Sequence, residues 1–230
     1  MSRHRIILIA LFITAVASFH LGAQTHGWDA ESTPLPQFWG PTAKPVALPS
    51  PNGKLILRVV GSSKDPSVPD YFIEKDGHLV GPSISPYSSP LALWSPSSRL
   101  LAITSSDGGA VGNWKVYVYT VDGETVVEDT VMKQVQADLA RRFPAGVNPK
   151  GHSFFSRGER ERYARDPSWV NVFAVHWLSN PERLLVEASV PGSSGYGANM
   201  GELQGYMIDP ITGCILHTYT EKEFMHTWGR

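Results

Sequence analysis

Cysteine is nearly absent: the 230 residues hold one, Cys214. A lone cysteine excludes an intrachain disulfide framework and a cysteine-based zinc cluster. Charge is sparse too. Charged residues make up 18% of the chain, 20 basic against 21 acidic, for a net charge of −1. That balance lacks the basic excess of a nucleic-acid surface. With 42% hydrophobic residues, the chain is too apolar to be disordered. No histidine pair has the H-E-x-x-H or H-x-H spacing that holds a metal on one element, and no N-x-[ST] glycosylation triplet occurs. Glycine (21) and proline (18) are plentiful, which favours many short elements joined by tight turns over a few long helices.

The N-terminus is the one place with a long apolar run. Arg3, His4 and Arg5 precede Ile6–Ala17, which only Thr14 interrupts. A basic start, an apolar core and the small-residue exit Ala15-Val16-Ala17 match a secretory signal peptide. Cleavage is expected before Ser18, with Leu21-Gly22-Ala23 as a second exit. The alternative, an uncleaved anchor, needs roughly 20 apolar residues, more than this run supplies. Residues 1–17 are therefore predicted to be a signal peptide of a bacterial exported protein, periplasmic or extracellular, with no stable membrane span once it is removed. Residues 18–50 read as a proline-rich arm. Trp28, Phe38 and Trp39 make it too apolar for a free tail, so it is expected to lie against the domain.

From Pro51 onward a pattern repeats. Pro51-Asn52-Gly53-Lys54 is a turn before the strand Leu55–Val60. Tyr71–Glu74 is a further strand, and Asp76-Gly77 a hairpin turn, since both residues tolerate positive φ. The second unit runs Pro90–Trp94, the turn Ser95–Ser98, the strand Arg99–Thr104, then Trp114–Val121 and Asp122-Gly123. The third runs Val170–Trp177, the turn Ser179–Glu182, the strand Arg183–Ala188, then Gln204–Ile208 and the turn Asp209–Gly213 into Cys214–Tyr219. Leu55–Val60, Arg99–Thr104 and Arg183–Ala188 are expected to be equivalent second strands. Trp94 and Trp177 each precede a leucine pair by nearly the same count. Both indoles are expected to pack inward, with Leu101 and Leu185 buried nearby. Between the second and third units, Val131, Val135, Leu139 and Phe143 fall at fourfold spacing, one apolar face of a helix that Pro144 ends.

Trp94-Ser95-Pro96-Ser97-Ser98-Arg99-Leu100-Leu101-Ala102-Ile103 resembles the W-S-P-D-G-K-x-L-A-F segment of the WD40-like repeats in TolB-type β-propellers. Ser50–Leu55 and Asp209–Gly213 are similar to the same family's S-P-D-G-K and D-x-x-T-G turns, with Asn52 and Ser97 where the family has aspartate. The resemblance implies antiparallel β-structure in three units, fewer than the four to eight blades of a closed propeller. The fold class expected is mainly β: antiparallel repeat sheets, propeller-like or sandwich, over residues 51–230, with a short helical insertion at 128–168. An open array completed by self-association is a further arrangement, and the sequence leaves the oligomeric state open.

No motif for catalysis emerges. The glycine-rich stretch Pro191–Gly201 lacks the G-K-[ST] of a phosphate loop and the G-x-S-x-G of a nucleophile elbow. It lies between the second and third strands of its unit, as Ser105–Ala110 does in the unit before. The two loops are expected to share one rim, with Asp107, Asn113, Tyr196 and Asn199 as candidate binding residues. His176 and His217 fall on strands and read as half-buried structural side chains, and Cys214 as a buried free thiol. Glu159 and Glu161, two apart on one expected helix, point away from each other. No cofactor, metal site or nucleic-acid partner is expected. The expected function is non-catalytic binding of a protein or cell-envelope component. The alternatives are a hydrolase whose residues are dispersed over the loops, and a structural envelope protein.

Overall fold

A computed structural model describes residues 31–65, 67–84, 86, 88–106, 113–122, 125–129, 132–143, 167–192 and 199–228. The expected signal peptide lies outside these residues. The described chain is mainly β, in three antiparallel sheets that follow one another in sequence and close no barrel. The first is β2 (Val46–Pro49), β3 (Leu55–Gly61), β4 (Pro69–Lys75) and β5 (His78–Ile84). The second is β6 (Ser88–Trp94), β7 (Leu100–Ser106), β8 (Trp114–Asp122) and β9 (Thr125–Asp129), with the two-residue β1 (Thr33–Pro34) on the free edge of β6. The third is β10 (Asn171–Leu178), β11 (Arg183–Ser189), β12 (Leu203–Ile208) and β13 (Ile215–Thr220). The expected second strands are β3, β7 and β11, each pairing with the strand before it and the strand after it in sequence.

The repeat has a physical basis in its turns. Buried Ser50 and Ser95 do the same work. Each hydroxyl accepts the backbone N–H five residues on, that of Leu55 and that of Leu100, at 3.1 Å. Each also exchanges backbone hydrogen bonds with that residue and with the turn's fourth residue, Gly53 or Ser98. Those fourth residues have φ of 71° and 64°, the left-handed region that glycine adopts at no steric cost. Asp76 and Gly77 both take positive φ, as an Asp-Gly hairpin turn requires. The turns also hold one another. The Asn52 N–H donates to Ser98 Oγ at 3.0 Å, and the Ser97 N–H and hydroxyl donate to the Glu182 carboxylate at 2.7 and 2.8 Å.

Alternation along each strand gives every sheet two faces. Leu55, Leu57 and Val59 of β3 pack with Ile73 against Leu101, Ile103, Tyr119 and Trp94 of the second sheet. The opposite face of the second sheet, with Leu100, Ala102, Val116 and Val118, packs on Leu184, Val186 and Tyr206 of the third. Helix α1 (Lys133–Arg142) closes this second core with Val135 and Leu139, on the apolar face read from the sequence. Val131 lies outside the described residues.

Trp94 and Trp177 are 9% and 5% exposed and lie in these two inter-sheet cores. One expectation needs correcting. Trp94 stands opposite Leu101, but Trp177 stands opposite Leu184, not Leu185. Leu185 is buried on the other face, with Phe224. The true offset between the units is one residue less than the leucine pairs suggest, and in a strand one residue changes the face.

The stack is finished differently at its two ends. On the outer face of the first sheet, Pro49, Ile56, Arg58 and Glu74 stand where the second sheet has buried Trp94, Leu101, Ile103 and Tyr119. Arg58 and Glu74 pair across the strands at 2.8 Å. That face is built for water, as in the terminal units of repeat proteins. At the far end helix α2 (Glu221–Trp228) covers the third sheet. Its fully buried Phe224 lies on Gly205, where a Cβ would stand 1.9 Å from the ring. Thr220 and Glu223 form a reciprocal capping box at its start.

The described part of the proline-rich arm lies against the domain, as expected. It supplies β1 and β2, buries Leu35, and sets the Trp39 indole on Gly61. The Tyr71 hydroxyl donates to the Pro36 carbonyl, and burial pushes its pKa up to about 12.

Candidate functional site

Each sheet runs between two rims. At one, the connections are the short turns at 50–54, 76–77, 95–99, 179–182 and 209–213, and hydrogen bonds tie the turn at 95–99 to those at 50–54 and 179–182. Asp209 is typical of this rim. Its carboxylate accepts the N–H of Thr212 at 2.9 Å and of Ile211 at 3.0 Å, and these bonds hold it below the usual carboxylate range. At the other rim all three second-to-third connections emerge: 62–68, 107–113 and 190–202.

Of the four sequence-chosen residues, Asn113 and Asn199 stand at this second rim. Asp107 and Tyr196 lie outside the described residues. Asn113 is half-buried just before β8, and Asn199 is half-buried where the glycine-rich loop returns to β12. The loop's neck is closed by backbone bonds between Val190 and both Glu202 (2.9 Å) and Gly201 (3.0 Å), and by the Glu202 N–H on the Asn199 carbonyl (3.1 Å). The second and third sheets are tied at the same end. The Trp114 N–H donates to Asn171 Oδ1 at 3.0 Å, and the Trp114 ring lies 5.1 Å from Phe173. Asn171 in turn stands opposite Ser189, where the glycine-rich loop leaves β11.

Beside this rim is a recess of about 550 Å³. Among the described residues β9 pairs with Val118–Asp122 of β8, and the recess lies beside the other half of that strand. Lys115, Val116 and Tyr117 form one wall. The first turns of α1 form another, with Met132, Lys133, Gln136 and Ala137, and a 3-10 turn at Pro167–Trp169 closes the end with Pro167 and Ser168. Gln136 is nearly buried and donates its amide to the Val170 carbonyl at 3.3 Å, which fixes the helix over the recess. Asp138 anchors the helix from the other side. Burial pushes its carboxyl up, but hydrogen bonds from Arg142 (2.6 Å), Arg141 and the Tyr206 hydroxyl (3.1 Å) outweigh this and hold it below its ordinary range. Tyr206 is raised by burial and by the Asp138 charge, so its phenol stays protonated as a donor. Among the described residues no Asp or Glu lines the recess, and neither Lys115 nor Lys133 has an ion-pair partner.

The recess was not legible in the sequence. Its walls come from β8, α1 and a 3-10 turn, and no spacing links Lys115, Lys133 and Pro167. The fourfold apolar pattern did signal the helix that roofs it.

The remaining candidates fall out as follows. His176 is half-buried with its Nδ1 on the Glu31 carboxylate, the structural role expected. His217, read as half-buried, is exposed and lies 4.3 Å from the Tyr219 ring. Cys214, expected to be buried, is exposed and lies 3.8 Å from the Gln134 amide. The Asp209 turn ends at Gly213 with φ of 69°, which leaves Cys214 outside β13. Glu187 is a buried carboxyl in the middle of β11, at the position buried Thr104 holds in β7. Among the described residues no three His, Cys, Asp or Glu side chains converge as a metal site, and no helix is long and apolar enough to cross a membrane. Glu159 and Glu161 lie outside the described residues. Comparison with protein families, curated proteins and solved structures finds no match to this chain.

Proposed function

We propose that this chain is an exported, non-catalytic binding protein. Its three sheets are propeller-like units of the TolB, WD40-like type, and the long-loop rim holds a protein or cell-envelope component. One observation carries the reading: in all three sheets the second-to-third-strand connection leaves from one rim, while at the other rim the short turns at 50–54, 95–99 and 179–182 bond to one another. A rigid scaffold that gathers its variable loops at one end is the usual way a fold presents a binding surface. Asn113 and Asn199 stand at the bases of two of these loops, and Asp107 and Tyr196 fall within them by sequence. The D-x-x-T-G and S-P turns, whose geometry is satisfied internally, are the scaffold of this proposal and not its site.

The test is site-specific photo-crosslinking in cells. A photoreactive residue at Asn113 or Asn199 should yield a discrete adduct in the exported fraction, and one at Gly53 or Asp76 on the turn rim should not. Adducts from the turn rim alone, or from no position, would overturn the assignment.

A further inference from the structure

We propose that the recess beneath α1 binds a single-chain fatty acid. The carboxylate rests on Lys115 and Lys133, and the alkyl chain lies against Val116, Met132, Ala137 and Pro167. The argument begins with size. About 550 Å³ falls in the range of small-molecule sites, which are mostly apolar and carry a few polar groups.

Charge comes next. The chain as a whole carries −1, yet the described titratable groups that line this recess are two lysines and a tyrosine, with no carboxylate among them. The nearest described acid on the same helix, Asp138, is taken by Arg141, Arg142 and Tyr206. Neither lysine has an ion-pair partner among the described residues, and Val116, Met132, Ala137 and Pro167 supply apolar lining beside them. Lys133 is exposed and Lys115 half-buried, which suits a head group near the mouth. An anion with an apolar body satisfies both features. A small inorganic anion leaves the apolar wall wet, and a neutral hydrocarbon leaves the lysines without a partner.

The recess also has fixed walls. Gln136 and Asp138 hold α1 to the Val170 carbonyl and to β12, and Val135 and Leu139 root it in the core. Little ordering is left for a ligand to impose, which favours binding.

The experiment is isothermal titration of the full chain with dodecanoate below its micelle concentration. Dodecanol and acetate, each lacking one half of the chemistry, are measured beside it. Dodecanoate should bind once per chain, and both comparison molecules about tenfold or more weaker. Joint Lys115→Gln and Lys133→Gln substitution should weaken dodecanoate about tenfold and bring it level with dodecanol. Ala137→Trp, which fills the recess from an exposed helix position, should abolish binding with the melting curve unchanged. In wild type the affinity should fall as salt is raised, and this reading needs no variant to fold. Equal binding of dodecanol, saturation only with many molecules per chain, association only with anionic vesicles, or no salt dependence would each overturn the proposal.

Discussion

Trp177 donates its indole N–H to the carbonyl of Leu93 at 3.1 Å, and Leu93 is the residue beside Trp94. Trp94 in turn donates to the Leu48 carbonyl at 3.3 Å. Leu48 stands two residues before Ser50, and Leu93 two before Ser95. Each tryptophan therefore reaches back to the same place in the preceding sheet. Its apolar body fills the inter-sheet core, and its polar edge satisfies a carbonyl at a strand end.

The serine turns are the first place to test equivalence. Ser50→Ala and Ser95→Ala each remove a buried acceptor and strand the N–H of Leu55 or Leu100. Each should cost about 1–3 kcal/mol. Ser179→Ala, at the exposed third turn, should stay within about 0.5 kcal/mol of wild type. Urea unfolding midpoints would read the difference, and equal losses at all three serines would deny the turn hydroxyls their role.

Helix α2 depends on the bare backbone of Gly205. Gly205→Ala places a methyl into the Phe224 ring and should cost about 1–3 kcal/mol by overpacking. In a Phe224→Ala background the same change should cost little, because the two residues share one contact. Additive losses in this cycle would show that the helix is not seated there.

Much of this architecture was legible in the sequence, because turn chemistry is local. Asp76-Gly77, Ser50–Lys54 and Ser95–Arg99 announce their geometry in the residues that adopt it. The strands between them alternate visibly. What failed was register. The pair Leu184-Leu185 looks like Leu100-Leu101, yet Leu184 is the true partner of Trp177. Sequence offers no local signal for a one-residue offset. The recess was hidden for a related reason. Lys115 and Lys133 read as ordinary surface lysines until the fold brings β8 and the first turns of α1 to one recess.

Acid should loosen the attachment of α1. Asp138 has a folded-state pKa below its unfolded value, so its contribution is present above the unfolded pKa, about 3.9, and fades as pH falls through the folded one. Asp209 acts in the same direction. The melting temperature should fall as pH drops from about 5 to 3. Asp138→Asn should lower it at neutral pH and flatten part of that slope. Thermal melts across this range check it, and an unchanged slope in the variant would separate Asp138 from the acid response.

Export makes a separate prediction. In a bacterial host the mature protein should begin at Ser18 or Gln24 by N-terminal sequencing. Intact Met1 on protein from the cytoplasm would defeat the compartment assigned to it.

The division between scaffold and rim is tested most directly by thermal melts of Trp94→Ala, Trp177→Ala and Asn199→Ala. A buried tryptophan truncated to alanine costs about 3–5 kcal/mol. At about 2–4 °C per kcal/mol for a domain of this size, both Trp variants should melt far below wild type. Asn199→Ala should melt within a degree or two of it. If both Trp variants melt like wild type, the tryptophans do not hold the sheets together, and the account of a three-sheet stack presenting its loops on one rim is wrong.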